Sequence, residues 1–320
     1  MNVHDHSWVV VLAGGDGQRL SSLTTDSRGR VVPKQYCSLI GGDALIREAI
    51  TRGCKVVPRE RVCALVAMQH RRFWWSLSAD LPPENLIAQP RNCGTAIGIL
   101  LAVLKILRRD PFAHILFIPA DHHFDDEGAL ADTLREVLAT AANDALDLFL
   151  VGVEPDCADS DLGYIVQGAH LRDRLYEVRQ FVEKPKESVA RELCDRGALW
   201  NTFLFCAWGL TALTLIREHL PTAVDAMSVA IAQDETAHAR DEALTDLYRS
   251  LPTVDFSQTV LQRALPALRV IQARQCGWTD LGTPGRVAHT LERQIVHRGK
   301  SRAPLDLCSA SAKQNQRSTL

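Results

Sequence analysis

No CxxC pair occurs among the nine cysteines of this 320-residue chain. Their odd number and scattered positions read as reduced thiols in a cytoplasmic protein, which excludes a disulfide framework and a zinc centre. An excess of one charge is also missing. Against 36 Lys and Arg stand 38 Asp and Glu, so no basic field is available for nucleic acid or an anionic membrane. The amino-terminal stretch MNVHDHSWVVVLAGG has neither a basic n-region nor a signal-length apolar core, and no secretory leader is expected. No repeat with a period of 20–50 residues is visible, which argues against an appended β-helix. Residues 199–216 form an 18-residue run without formal charge. That run contains Asn201, Thr202, Gly209, Thr211 and Thr214, and a membrane span needs about 20 predominantly apolar residues. A buried strand followed by a helix is expected there, not a membrane segment.

What is present is an ordinary globular balance, 46% hydrophobic and 23% charged, over a length that can bury a sizeable core. The first half alternates β-rich apolar runs at 8–12, 62–67, 114–119 and 146–153 with helical patterns at 44–52, 95–108 and 130–142. That alternation predicts βαβ units with right-handed crossovers. The runs WVVVL and HILFIP are almost wholly apolar, as strands covered on both faces require. After residue 153 the pattern changes to strands at 164–167 and 175–182, a helix at 187–196, an apolar segment at 200–206 and a helical stretch over 210–248. The fold class expected is α/β, a Rossmann-like doubly wound mixed sheet with helices on both faces. One domain over 1–297 is expected, with halves at about 1–153 and 154–297. Residues 298–320, with five Lys or Arg against Asp306 alone, read as a disordered tail.

The first strand runs into LAGGDGQRL, residues 12–20. Gly14, Gly15 and Gly17 permit a tight turn whose amides can face a polyphosphate, and Arg19 adds a fork-shaped cation. Leu20 stands where a dinucleotide fingerprint needs its third glycine, and no GxxxxGK[ST] occurs, so a nicotinamide dehydrogenase and a Walker-type loop are both excluded. A third strand ends in Pro119-Ala120-Asp121-His122-His123, placing Asp121 at the carboxyl end of a parallel strand, where such sheets bind ligands. As purely structural features, Asp121 could cap the next helix, Thr95 could cap the helix after the QPRNCGTAIG turn, and Asp280 could serve a turn before Gly282. Adjacent histidines are not a usual zinc spacing, so His122 and His123 are expected at a crevice rim or facing solvent. A DHH phosphoesterase would need an aspartate cluster at the end of the first strand, where Gly14 and Gly15 stand instead.

The glycine loop followed by Pro33-Lys34-Gln35 resembles the sugar-phosphate nucleotidyltransferase family, most closely its branch that makes GDP-mannose from GTP and mannose 1-phosphate. The resemblance spans about residues 8–287. It implies that a nucleoside triphosphate and a sugar 1-phosphate are the partners, and that a nucleotidyl group is transferred with release of pyrophosphate. By that resemblance Arg19 and Lys34 bracket the triphosphate, and Leu12, Ala13, Gly14 and Gly15 form the phosphate loop. Gln89, Asn92, Gly94 and Thr95 of the QP turn read the base. The PADH segment implies that Asp121 binds Mg²⁺. The segment GWTDLGT, residues 277–283, implies Asp280 as the second magnesium ligand. Two carboxylates completed by phosphate oxygens suit that hard ion.

The family's sugar turn is matched by Asp161-Leu162-Gly163-Tyr164-Ile165, with its first glycine replaced. FVEKP implies that Glu183 accepts from sugar hydroxyls while Lys184 neutralises the sugar phosphate. Asn201 falls in a shortened sugar motif, Trp200-Asn201-Thr202-Phe203. Arg19, Lys34, Asp121 and Lys184 are the catalytic candidates; Gly163, Glu183, Lys184 and Asn201 are the sugar contacts. A thymidylyl- or uridylyltransferase is the alternative activity. A silent regulatory homologue is a further alternative, and the presence of Arg19, Lys34, Asp121 and Asp280 speaks against it. The long family version carries a carboxy-terminal isomerase domain, for which this chain is expected to be too short. Self-association is left open.

Overall fold

The computed structural model describes residues 6–237 and 241–300. The first half supplies β1 (Ser7–Leu12), α1 (Leu45–Cys54), β2 (Val62–Ala67), β3 (Leu86–Gln89), α2 (Gly94–Arg109), β4 (His114–Pro119), β5 (His123–Phe124), α3 (Glu127–Asn143) and β6 (Leu148–Val153). There follow β7 (Tyr164–Arg172), β8 (Leu175–Val182), α4 (Glu187–Asp195), β9 (Leu199–Trp208), α5 (Gly209–His219), α6 (Pro221–Ala237), α7 (Glu242–Ser250), β10 (Leu268–Gln272), β11 (Trp278–Thr279) and α8 (Pro284–Lys300).

Nine strands form one mixed sheet in the order β3-β2-β1-β4-β9-β6-β10-β8-β7. Strands β3, β2, β1 and β4 are mutually parallel, and β9 runs antiparallel between β4 and β6. Alternate residues of β1 feed opposite cores. Trp8 and Val10 pack with α2, α5, α6 and α7, whereas Val9 and Val11 pack with α1, α3 and α4. Helices thus cover both faces, as the apolar strands require, and the expected α/β class is the observed one. The carboxyl ends of the parallel strands share one edge, so Leu12, Gln89 and Pro119 open onto a common crevice.

Two expectations are corrected. The stretch 210–248 is three helices, because Leu220, which precedes Pro221, leaves the helical region (φ −135°, ψ 49°) and Pro221 starts the next helix. The tail expected from 298 begins as helix, since α8 extends to Lys300; residues 301–320 lie outside the described residues. The uncharged run at 199–216 is β9 followed by α5. No helix among the described residues is long and apolar enough to cross a membrane.

Candidate active site

A two-stranded antiparallel clip builds the heart of the crevice. Trp278 pairs with Phe124 and Thr279 with His123, so the residue after β11, Asp280, is delivered beside the residues before β5, including Asp121. The clip is anchored from below by Arg52, which is buried, pairs with Glu127 at 2.6 Å and lies 4.7 Å over the Phe124 ring. Between the two aspartates sits Lys34. Its ammonium is 3.0 Å from Asp121 Oδ2 and donates to the Asp280 carbonyl at 2.8 Å.

The electrostatics follow from this packing. Burial works to raise the Asp121 carboxyl, but the Lys34 ammonium and neighbouring groups hold it below the usual carboxylate range. Asp280 is raised, first by burial and further by Asp121, with Lys34 opposing. Burial pushes His122 down to about 4, so its ring is neutral, and its Nδ1 accepts from Trp278 Nε1 at 3.2 Å. His122 lines the crevice as expected of a rim residue, but it and His123 are not solvent-facing. The clip packs both inward, and His123 is 8% exposed.

The phosphate loop is shaped by the PKQ segment. Gln35 donates to the carbonyls of Ala13 and Gly15 at 3.0 and 2.7 Å, tying the loop to the segment that carries Lys34. At Gly17 (φ +62°) a Cβ would lie 2.7 Å from the Lys34 backbone nitrogen, so only glycine allows this approach. Ala13 turns into the core, whereas Leu12, Gly14 and Gly15 face a cavity of about 360 Å³. Gln89, Asn92, Gly94, Thr95 and Asp121 line the same cavity. Gln89 is 2% exposed, and its amide lies where a Cβ of Gly14 or Gly98 would stand. Arg19 lies outside the cavity, exposed and 3.6 Å from Asp161.

The sugar candidates gather at the neighbouring end. A Cβ on Gly163 would come within 2.6 Å of Glu183 Oε2 and 3.4 Å of the Asn201 Cβ, and Asn201 donates its backbone N–H to Gly163 at 2.8 Å. Burial raises Glu183, Lys184 opposes from 3.7 Å, and Asp255 adds to the rise. The shortened motif has a local explanation. The β6–β9 register slips between Leu150–Phe205 and Gly152–Asn201, Phe203 takes φ +56°, and Thr202 turns inward to donate to the Val151 carbonyl at 2.7 Å. Thr202 is therefore withdrawn from the crevice, and Phe203 lines it instead.

Neither structural cap occurs. Asp126 caps α3, and the Thr95 hydroxyl accepts from the Phe256 N–H at 2.8 Å. Asp280 does make its turn, accepting from the Gly282 N–H at 2.9 Å while its Oδ1 also pairs with Arg286. Sequence reasoning missed Gln35, Arg286, Thr253 and Asp255. Gln35 stands within a quoted motif and could have been found there. The other three carry no local signal and reach the crevice only through the fold.

A model of the nucleotidyl transferase family matches residues 8–291. The mannose-1-phosphate guanylyltransferase of Escherichia coli K12 is 29% identical over 307 residues, covering 90% of this chain and 61% of that protein. The alginate biosynthesis protein AlgA of Pseudomonas aeruginosa PAO1 is 28% identical over 86% of this chain and 56% of its own length. The chain thus spans about three fifths of the length of the curated relatives it matches. A crystal structure of mannose-1-phosphate geranyltransferase from Thermus thermophilus superposes with a TM-score of 0.75 at 26% identity, covering 93% of this chain and 80% of that one.

Proposed function

The chain belongs to the nucleotidyl transferase family, and we propose that it joins a nucleoside triphosphate to a sugar 1-phosphate with release of pyrophosphate, its substrates being GTP and mannose 1-phosphate. The observation that carries this reading is Lys34 paired with the Asp121 carboxylate and donating to the Asp280 carbonyl, where Asp121 lines the same cavity as Gly14, Gly15, Gln89 and Thr95. A fixed cation, two carboxylates and a glycine turn at one crevice end are what a polyphosphate substrate needs.

A sugar 1-phosphate is already largely dianionic near neutral pH, because a second phosphate pKa lies at about 6. It therefore attacks the α-phosphorus without a general base, and the protein's work is in-line positioning and charge neutralisation. Lys34 and Arg19 offset charge gathering on the departing pyrophosphate. Lys184 holds the attacking phosphate, and Glu183 with Asn201 orients the sugar. The neutral His122 supports Trp278 and adds no charge. Asp121 and Asp280 offer only oxygen donors, and Asp121 is about one third exposed to the crevice. That set fits Mg²⁺, which completes its shell from water and substrate phosphates. Bound there, the ion would supply charge neutralisation to the phosphates. The reading places the enzyme in the cytoplasm, consistent with the unpaired thiols of the described residues.

The test is pyrophosphate release from GTP, UTP, dTTP, ATP and CTP with mannose 1-phosphate and glucose 1-phosphate. GTP with mannose 1-phosphate should lead in kcat/KM by about 10²-fold. A lead by dTTP or UTP overturns the guanylyl assignment; release with none of the pairs overturns the activity.

A further inference from the structure

Arg286 sits in the first turn of α8, partly buried, and bridges two carboxylates from separate parts of the chain. One guanidinium nitrogen pairs with Asp280 Oδ1 and another with Asp159 Oδ2. The three side chains are 10–21% exposed, so this is a largely desolvated triad and not a surface pair. Asp159 is itself pinned, because the Tyr164 hydroxyl accepts from its backbone N–H at 2.8 Å and donates to its carbonyl at 3.0 Å. Tyr164 adjoins Gly163 of the sugar turn. The chain of contacts therefore runs from the sugar turn through Asp159 and Arg286 to Asp280.

We propose that Arg286 is a positioning residue that fixes the Asp280 carboxylate for a divalent cation, and that it does so only while the loop carrying Asp159 is seated. The inference rests on the proposed role of Asp280 as a cation ligand. Asp280 needs such support because its own turn is awkward. Leu281 takes φ +48°, and among the described residues the Gly282 N–H is the one backbone group that holds Oδ1. Without Arg286 the carboxylate could rotate away from Asp121.

Two effects oppose each other. A guanidinium near the site repels a cation, but Arg286 is already neutralised by Asp159, which weakens that repulsion. Loss of a group that orients a metal ligand typically lowers metal affinity by about 10–100-fold, and this effect wins.

The test titrates Mn²⁺, as a paramagnetic stand-in for Mg²⁺, into the substrate-free protein by electron paramagnetic resonance. Arg286→Ala should weaken Mn²⁺ binding by about 10-fold. Asp159→Asn should weaken it less, and the double variant should match Arg286→Ala alone, since both act along one path. Arg286→Lys should recover part of the affinity. In turnover the half-saturating Mg²⁺ should rise while kcat at saturating Mg²⁺ changes less than about threefold. Unchanged or tighter Mn²⁺ binding by a folded Arg286→Ala protein overturns the proposal, as does strict additivity in the double variant. If the Mn²⁺ pattern holds but no substrate pair is turned over, the activity reading fails and the positioning role stands.

Discussion

Lys34 is bound to Asp121 across a 3.0 Å ion pair while its ammonium also donates to the Asp280 carbonyl, and it is 7% exposed. One side chain thus ties the residue after β4 to the residue after β11, reinforcing the approach that the β5–β11 pairing creates. Its charge works to lower both aspartates against the burial that raises them; at Asp121 the ammonium and neighbouring groups prevail, and at Asp280 burial does.

Replacing that lysine should damage chemistry more than fold. Lys34→Met keeps the apolar stem but leaves Asp121 unpaired. Because Asp121 is about one third exposed, the stability cost should stay near 1–2 kcal/mol, below that of a fully buried pair. Turnover should fall by about 10²-fold or more, as for loss of one preorganised charge. Urea unfolding and pyrophosphate release measure the two separately, and a folded variant with turnover within threefold of the parent would refute the assignment.

Gly94 is the first residue of α2, at φ +84°, and a Cβ there would stand 2.3 Å from the Val254 carbonyl oxygen. The same contact lets Ala96 donate to Val254 at 3.1 Å, sealing the cavity with residues 253–255. Gly94→Ala should therefore cost about 2 kcal/mol or more and raise KM for the triphosphate by about 10-fold, leaving KM for the sugar phosphate nearly unchanged. Chemical unfolding and steady-state kinetics decide it; equal rises in both KM values would show a general loosening instead.

The pH dependence of stability has a traceable contributor in His114, whose two ring nitrogens are buried beside Trp208 without a hydrogen-bond partner among the described residues. Burial, with His6 adding and Asp110 opposing, lowers its pKa from the ordinary 6.5. The unfolded chain then takes up the proton more readily, so the contribution is full above pH 6.5 and is lost as pH falls below it. His114→Phe should remove the two unsatisfied nitrogens. It should gain more on the parent at pH 5 than at pH 7.5. Urea titrations at both pH values test this, and an equal difference at the two would exclude His114 as the source.

Strands that are buried at every position and almost wholly apolar, such as β2 and β4, were legible in the sequence to their boundaries, because only a sheet covered on both faces uses such runs. Short elements were not. β5 and β11 are two residues each and exist because they pair with one another across the fold, yet they bring Asp121 and Asp280 together. The two aspartates could be named from motifs, but their meeting could not be derived from local pattern. The Phe203 bulge is the converse case. The shortened motif was visible, but the slip in register that compensates for it depends on β6. Arg286 left no local trace because its partners lie in the loop before β7 and in the turn after β11.

The cavity and the sugar cluster should fail independently when cut at opposite ends. Gln89 is buried, its amide touches the space above Gly14 and Gly98, and Tyr248 donates to its Oε1 at 3.5 Å. A glutamine presents both donor and acceptor, so it can read guanine, thymine or uracil edges. Its removal takes away the penalty for a wrong base that would leave buried polar groups unpaired. Gln89→Ala should therefore shrink the preference for the favoured base from about 10²-fold toward 10-fold, with KM for the sugar phosphate unmoved. Lys184 is half-exposed at φ +46° and 3.7 Å from Glu183, so its charge is screened and its contribution modest. Lys184→Ala should raise KM for the sugar phosphate by about 10-fold and leave base preference intact. Steady-state kinetics of both variants with paired triphosphates measures the crossing. If Gln89→Ala alters sugar KM, or Lys184→Ala alters base preference, the two ends act as one site and the division between them is wrong.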